Sequence, residues 1–239
     1  MILKRKIYKK LLEWKKECQG KKALLIEGAR RIGKSTICEE FGKNEYESYL
    51  LIDFAKKDKE VERYFERYLN DLDTFFMLLQ THFGTKLTER NSLIIFDEVQ
   101  MFPQARAAIK YLVADGRYDY IETGSLISIR ENVKNIVIPS EERNINMYPL
   151  DFEEFAIALE EDLLVEYIKK CFEKREPLER SMHNQAMLLF HQYMLVGGMP
   201  MPVVAFIESK KDFTEPDKEK RDILKLYRED IMKIDAKYR

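Results

Sequence analysis

The residues best suited to chemistry lie in a glycine-rich loop, GARRIGKS, at positions 28–35. The loop matches the pattern G-x-x-x-x-G-K-[ST] at every fixed position, and its glycines let successive backbone N–H groups face a phosphate. In this pattern Lys34 reaches the β- and γ-phosphates, Ser35 binds Mg²⁺, and we expect Thr36 beside the α-phosphate. The expected nucleotide contacts are Gly28, Ala29, Arg30, Arg31, Ile32, Gly33, Lys34, Ser35 and Thr36.

A chance glycine-rich loop is the alternative to a nucleotide site. The flanking sequence argues against it, because an apolar run at 23–27 enters the loop and a helical pattern leaves it. A buried strand followed by a helix places the positive helix N-terminus at the phosphate. The context therefore favours nucleotide binding.

A second candidate is the apolar run LIIF, which ends in Asp97 and Glu98. In a parallel sheet the carboxyl ends of strands share the edge where ligands bind. We expect Asp97 to hold the Mg²⁺ shell and Glu98 to orient the attacking water and accept its proton. The alternative is that the two acids only cap a strand. A water-activating acid favours a hydrolase over a small-molecule kinase.

The segment Thr123-Gly124-Ser125 closes the next apolar run. A hydroxyl there would sit between the γ-phosphate and the water, and the sequence does not choose between Thr123 and Ser125. The alternative is an ordinary strand-to-loop turn that uses Gly124.

Apolar runs that alternate with helical patterns predict a doubly wound α/β fold with a parallel sheet. The expected strands are 23–27, 48–54, 92–96, 118–122 and 145–148. The expected helices are 34–41, 56–80, 104–115 and an N-terminal helix that turns Ile7, Leu11, Leu12 and Trp14 to the core.

The pattern changes after Leu150, so we predict a P-loop core over residues 1–150 and a mostly helical lid over residues 151–239. Within the lid, residues 202–207 are a candidate strand and residues 210–220 an exposed loop.

Composition narrows the class of protein. The 41 Lys and Arg nearly balance 42 Asp and Glu, so the net charge of −1 does not favour nucleic acid except at a local patch. Three cysteines without a metal-binding cluster predict a reducing, cytoplasmic setting and no zinc site. No apolar run approaches the ~20 residues of a membrane span. The basic N-terminus fits an ordinary helix better than a membrane-surface or transit segment.

Several motifs follow one another in a fixed order: GARRIGKS, LIDF, IIFDEVQ, TGS, YPLDFEEF, GGMP and LYREDI. In this order they resemble a large prokaryotic family of AAA-superfamily ATPases. The resemblance implies a sheet ordered 5-1-4-3-2, a helical lid and ATP rather than GTP. The sequence agrees, since it has no N-K-x-D guanine-reading motif.

The chain departs from the family pattern in two places. Relatives carry a glycine-arginine pair shortly before the P-L-x-F-x-E-F element. This chain lacks the pair there, and the arginine that would correspond to it is Arg143. Relatives also continue into a winged-helix segment and a nuclease-like domain, and this chain ends at Arg239, about where that region would begin. AAA-type sites often receive an arginine from a neighbouring subunit, for which Arg130 and Arg143 are the candidates in a homo-oligomer.

Three functions remain open. The first is a Mg²⁺-dependent ATPase coupled to a conformational switch. The second is an ATP-binding interaction module with little hydrolysis, and the third is a nucleoside or sugar kinase.

Overall fold

A computed structural model describes residues 1–125 and 140–237, with side chains up to residue 232. The chain divides into two compact units, and each is described on its own. One unit is Ile7–Met147, and the other combines Met1–Lys6 with Tyr148–Arg239. Among the described residues, no helix has the length and apolar character needed to cross a membrane.

The first unit is built on a five-stranded sheet in which every neighbouring pair is parallel. Its strands are β1 (Ala23–Gly28), β2 (Ser48–Asp53), β3 (Ser92–Asp97), β4 (Asp119–Ser125) and β5 (Glu142–Asn146). Their order is β2-β3-β4-β1-β5. Read from the other edge this is 5-1-4-3-2, so the predicted fold class and strand order are confirmed.

Helices cover both faces of the sheet, which is why the inner strands β1, β3 and β4 are almost fully buried. The helices of this unit are α1 (Ile7–Cys18), α2 (Lys34–Glu45), α3 (Lys59–Tyr68), α4 (Leu72–Phe83) and α5 (Pro103–Asp115). Helices α3, α4 and α5 share one apolar core with alternate side chains of the strands. Helices α1 and α2 meet through Trp14 and Phe41, whose ring centroids are 6.5 Å apart.

Three expectations for this unit were wrong in detail. The stretch 56–80 is two helices, because the Asp71 side chain accepts the main-chain N–H of Thr74 and starts α4. The fifth strand begins at Glu142 rather than at residue 145. Leu12 is 39% exposed, whereas Leu11 and Trp14 are buried.

The second unit is helical among its described residues. It contains α6 (Phe152–Ala158), α7 (Asp162–Lys174), α8 (Arg180–Val196), α9 (Pro200–Glu208) and α10 (Thr214–Lys237). The candidate strand at 202–207 is wrong, since α9 occupies it and buries Val203 and Phe206 at helical spacing. The expected loop at 210–220 is mostly helix, because Asp212 accepts the N–H of Thr214 at 3.1 Å and starts α10.

The motifs YPLDFEEF and GGMP meet in this unit. The N–H of Leu150 donates to the carbonyl oxygen of Gly198 at 2.7 Å. A Cβ on Gly198 would lie 2.1 Å from the carbonyl oxygen of Leu150, so only glycine fits. The tight approach explains why a glycine stands here, and its role is packing.

The first six residues are tied to the same unit by charge. Asp151 and Glu154 form a capping box at the start of α6. The Glu154 carboxylate also accepts hydrogen bonds from Nε of Arg5 at 3.3 Å and from the main-chain N–H of Lys6 at 2.6 Å. The side chains of Arg5 and Glu154 are only 6% and 7% exposed, so this is a buried ion pair.

Candidate nucleotide-binding site

The loop between β1 and α2 has the backbone that a phosphate cradle needs. Gly33 has φ +91° and Arg31 has φ +63°, both left-handed. A Cβ on Gly28 would lie 2.4 Å from the carbonyl oxygen of Met147 and 2.5 Å from Cδ1 of Ile32. Ile32 is fully buried and anchors the loop. Glycine at 28 therefore allows the loop to turn close to the β5 end.

The expected phosphate ligands are divided between buried and exposed positions. Ala29, Arg30 and Arg31 are exposed, as is Thr36 on the first turn of α2, while Ser35 is half-buried. These positions surround the N-terminus of α2, where main-chain N–H groups attract anions.

Lys34 lies inside the curve of the loop and is only 5% exposed. Its Nζ donates to the carbonyl oxygen of Gly28 at 3.1 Å and to that of Ala29 at 2.8 Å. Burial lowers the pKa of Lys34, and the negative charges of Glu98 and Asp97 oppose that change. A buried ammonium held by carbonyls is poised to bind an anion.

Ser35 and Asp97 come together across the edge of the sheet. The Ser35 hydroxyl lies 2.8 Å from each of the two carboxylate oxygens of Asp97. Thr123 on the neighbouring strand β4 also donates its hydroxyl to Oδ1 of Asp97. Asp97 is 8% exposed, so its charge is held by two hydroxyl groups in a nearly water-free position.

Glu98 follows directly, with a left-handed backbone at φ 53°. Its N–H donates to the hydroxyl of Thr123 at 3.3 Å. One carboxylate oxygen, Oε2, accepts the side-chain amide of Gln100. Left-handed backbone is uncommon outside glycine, so the local contacts must hold this conformation.

The two hydroxyl candidates on β4 have different positions. Thr123 contacts Asp97 and Glu98 directly. Ser125 pairs in register with Gly28, next to the phosphate loop, and is 6% exposed. Both side chains lie on the same face of β4, since they are two residues apart.

Arg143 stands apart from this constellation. It pairs in register with Leu24, near the start of β1, and its Nη1 lies 2.6 Å from Glu17 Oε2. Parallel strands bring their carboxyl ends to one edge, so Arg143 is at the opposite edge from the phosphate loop. Arg130, the other arginine candidate, lies outside the described residues.

Two features were missed by sequence reasoning. The first is Gln100, whose signal in the sequence is a polar side chain two positions after Glu98. The second feature is a buried charged cluster on the other face of β4. There Arg106 donates to Glu142 through Nε at 3.0 Å and Nη2 at 2.8 Å, beside the fully buried Glu122.

Burial raises the pKa of the Glu122 carboxyl well above its ordinary value. The negative charge of Glu142 raises that pKa further, and Arg106 opposes the change. One guanidinium faces two buried carboxyl groups, so charge balance favours a proton on Glu122.

A family model described as an AAA domain matches residues 20–156, which is more than half of the 239 residues. The chain belongs to this AAA-domain family. Membership supports nucleotide binding and hydrolysis in general terms, and the matched range includes the phosphate loop and both acids. A comparison with curated proteins found no match.

Solved structures resemble this AAA-domain chain only distantly. Domain III of the Thermotoga maritima replication initiation protein DnaA is 14% identical, with 87% of each chain covered and a TM-score of 0.44. AMPPCP-bound DnaA from Aquifex aeolicus is 13% identical, with 88% of this chain and 62% of that chain covered and a TM-score of 0.45. PCH-2 from C. elegans is 11% identical, with a TM-score of 0.38. The match covers 84% of this chain and 58% of the PCH-2 chain, so this chain spans less than two thirds of that chain's length.

Proposed function

We propose that this chain binds ATP with Mg²⁺ at the phosphate loop and hydrolyses it, with turnover coupled to a conformational change. One observation carries the proposal. The Ser35 hydroxyl lies 2.8 Å from both oxygens of Asp97, directly beside the buried Lys34. A hydroxyl, a carboxylate and an ammonium at the N-terminus of a helix form a set that suits a metal-bound phosphate.

The residues present fit Mg²⁺ as a partner of the nucleotide rather than as a separate metal centre. Within residues 1–125 and 140–237, no group of three or more His, Cys, Asp or Glu side chains could hold a metal ion. Mg²⁺ typically takes one or two protein oxygens and completes its shell with phosphates and water. Ser35 and Asp97 supply such oxygens. When bound, the ion would neutralise charge on the β- and γ-phosphate oxygens.

Lys34 would bind the phosphates themselves. Its ammonium donates to two carbonyl oxygens of the loop, and a phosphate oxygen is a stronger acceptor than a carbonyl. Burial lowers the pKa of Lys34, so an incoming anion would favour its charged form.

Glu98 would act as the general base. The attacking water's oxygen forms a bond to the γ-phosphorus, the bond from that phosphorus to the leaving ADP oxygen breaks, and the water's proton passes to the Glu98 carboxylate. Either Thr123 or Ser125 would contact the γ-phosphate, since both lie on the face of β4 that carries this site.

The wider setting is also part of the proposal. We propose residues 1–150 as the ATPase core, apart from Met1–Lys6, which share a compact unit with the C-terminal helices. We propose residues 151–239 as a helical lid and the cytoplasm as the location. ATP is preferred to GTP because the sequence has no N-K-x-D motif. Association with further copies of the chain is proposed as the route to full activity. The near-neutral charge does not favour nucleic acid, and ATPase rates with and without DNA test that partner.

The test is ATP affinity by calorimetry, with Mg²⁺ and with EDTA, combined with multiple-turnover phosphate release. Wild type should bind more tightly with Mg²⁺, and Ser35→Ala should lose most of that difference. Thr81→Ala, which removes an exposed hydroxyl on α4, is the matched control. Equal Mg²⁺ dependence in wild type and Ser35→Ala would overturn the metal assignment. Tight binding without turnover in wild type would instead favour an ATP-binding module.

A further inference from the structure

Gln100 is the one polar residue of the DEVQ segment for which the proposed reaction has no task. It lies in a single-turn 3-10 helix, Val99–Met101, immediately after Glu98. Its side chain is almost fully buried, with the residue 5% exposed. The amide Nε2 donates to Oε2 of Glu98. A buried amide is therefore in direct contact with the carboxylate proposed to activate water.

The turn itself does not depend on that amide. The N–H of Met101 donates to the carbonyl oxygen of Glu98 at 2.8 Å, and the N–H of Phe102 donates to that of Val99 at 3.2 Å. Val99 is fully buried and anchors the turn to the core. Since main-chain bonds and an apolar anchor close the turn, the Gln100 amide contributes to where the Glu98 side chain points.

Glu98 needs such a contact because nothing in its own chemistry fixes the carboxylate. A glutamate side chain has three rotatable bonds, so its carboxylate can occupy several positions. A displacement of a catalytic group by about 1 Å can lower the rate roughly 10²-fold. The main chain of Glu98 is fixed by its N–H bond to Thr123. The Gln100 amide restrains the other end of the side chain, the carboxylate.

We propose that Gln100 is a positioning residue for hydrolysis. It binds Oε2 of Glu98 and thereby leaves Oε1 to accept the proton of the attacking water. A neutral amide suits this position, because it donates a hydrogen bond without protonating the base. The inference rests on the proposed role of Glu98, and the experiment below separates the two.

The experiment compares steady-state ATP hydrolysis and ATP affinity in wild type, Gln100→Ala, Gln100→Met and Gln100→Glu. Met101→Ala, in the same turn and on a 47% exposed side chain, is the control. Loss of the amide should lower kcat about 10- to 100-fold. The Kd for Mg·ATP and the KM should stay within about 2-fold, since Gln100 has no proposed contact with the nucleotide. Gln100→Met keeps the length and volume of the side chain and decides the question if Gln100→Ala does not fold.

The variant Gln100→Glu adds a readout that a merely structural residue would not give. The introduced carboxyl can donate to Glu98 only while it is protonated. Its kcat should therefore approach wild type in acid and fall as pH rises, with an added limb absent from the wild-type profile.

A double-mutant cycle with Glu98→Gln completes the test. If Gln100 acts through Glu98, Gln100→Ala should cause no further loss in the Glu98→Gln background. An equal loss in both backgrounds, or an unchanged kcat in Gln100→Ala and Gln100→Met, would overturn the inference. Wild-type hydrolysis by Glu98→Gln would instead refute the proposed base, so the two failures are distinguishable.

Discussion

The hydroxyl of Ser35 lies 2.8 Å from both carboxylate oxygens of Asp97, although 62 residues separate them in the chain. The first belongs to the helix after the phosphate loop and the second ends β3. Strand β4 lies between β1 and β3 in the sheet. The contact between Ser35 and Asp97 therefore spans the carboxyl end of β4. Under the proposed function, Ser35 and Asp97 are the residues that would hold Mg²⁺.

Removing the buried ammonium should greatly weaken nucleotide binding. We expect Lys34→Ala to lose on the order of 2–3 kcal/mol of Mg·ATP binding free energy, because a charge-assisted contact to phosphate disappears. Calorimetry measures the affinity directly. Lys43→Ala, an exposed lysine on the same helix, should bind as wild type does. Equal affinity in Lys34→Ala and wild type would contradict the phosphate-loop assignment.

Neutralising the proposed base should separate binding from turnover. Glu98→Gln should retain its affinity for ATP and lose about 10²-fold or more in kcat, which is the scale of a removed general base. Phosphate release and calorimetry on the same preparation check the two halves. Glu89→Gln, an exposed acid, should behave as wild type does. A variant that hydrolyses ATP at the normal rate would make Glu98 a strand cap.

Activity should rise with association of the chain. An arginine from a neighbouring subunit contributes roughly 10³–10⁵ in rate in related chemistry. We expect specific activity to increase with protein concentration, and a mixture of Glu98→Gln with the double variant Arg130→Ala, Arg143→Ala to regain activity. The control is Arg67→Ala, which removes an exposed arginine on α3 and should hydrolyse ATP as wild type does. Constant specific activity, with no rescue in the mixture, would mean that each monomer works alone.

The buried Glu122 should make stability depend on pH. Burial, then Glu142, raises its pKa in the folded chain from an ordinary value of 4.5. An acid with a raised folded pKa contributes stability below its ordinary pKa and loses it as pH rises through the folded value. Wild type should therefore lose stability with rising pH relative to Glu122→Gln, which mimics the protonated carboxyl.

Thermal melts between about pH 5 and pH 9 measure this difference. We expect Glu122→Gln to gain at least about 1 kcal/mol over wild type by the alkaline end, equivalent to roughly 2–4 °C in Tm for a chain of this size. Glu89→Gln should track wild type at every pH. Parallel curves for Glu122→Gln and wild type would show that the folded Glu122 carboxyl titrates normally.

The sheet could be predicted because its information is local. Apolar runs that end in Gly28, Asp97 and Thr123 identify strands, and the phosphate loop fixes where α2 begins. The helical unit was harder to predict. The run at 202–207 is apolar enough for a strand, and only the packing of Val203 and Phe206 in a helical core decides the outcome.

The interior of the site shows a similar division. The phosphate-loop pattern predicts the roles of Lys34 and Ser35. It does not predict which side chains lie next to them in space. No periodicity in the sequence links Thr123 to both Asp97 and Glu98, or Arg106 to Glu142. The Thr123 contacts arise from the pairing of β3 with β4. The contact between Arg106 and Glu142 joins α5 to β5, which are distant elements of the sequence.

The first six residues belong physically with the helices at the other end of the chain, through Arg5 and Glu154. A fluorophore attached near Met1 would therefore report on the helical unit, although in sequence it precedes the nucleotide-binding strands. Trimming the N-terminus would leave Glu154 as a buried charge without Arg5, a loss of about 3–5 kcal/mol for a buried pair. A shortened chain would then weaken first in its C-terminal half, far in sequence from the cut.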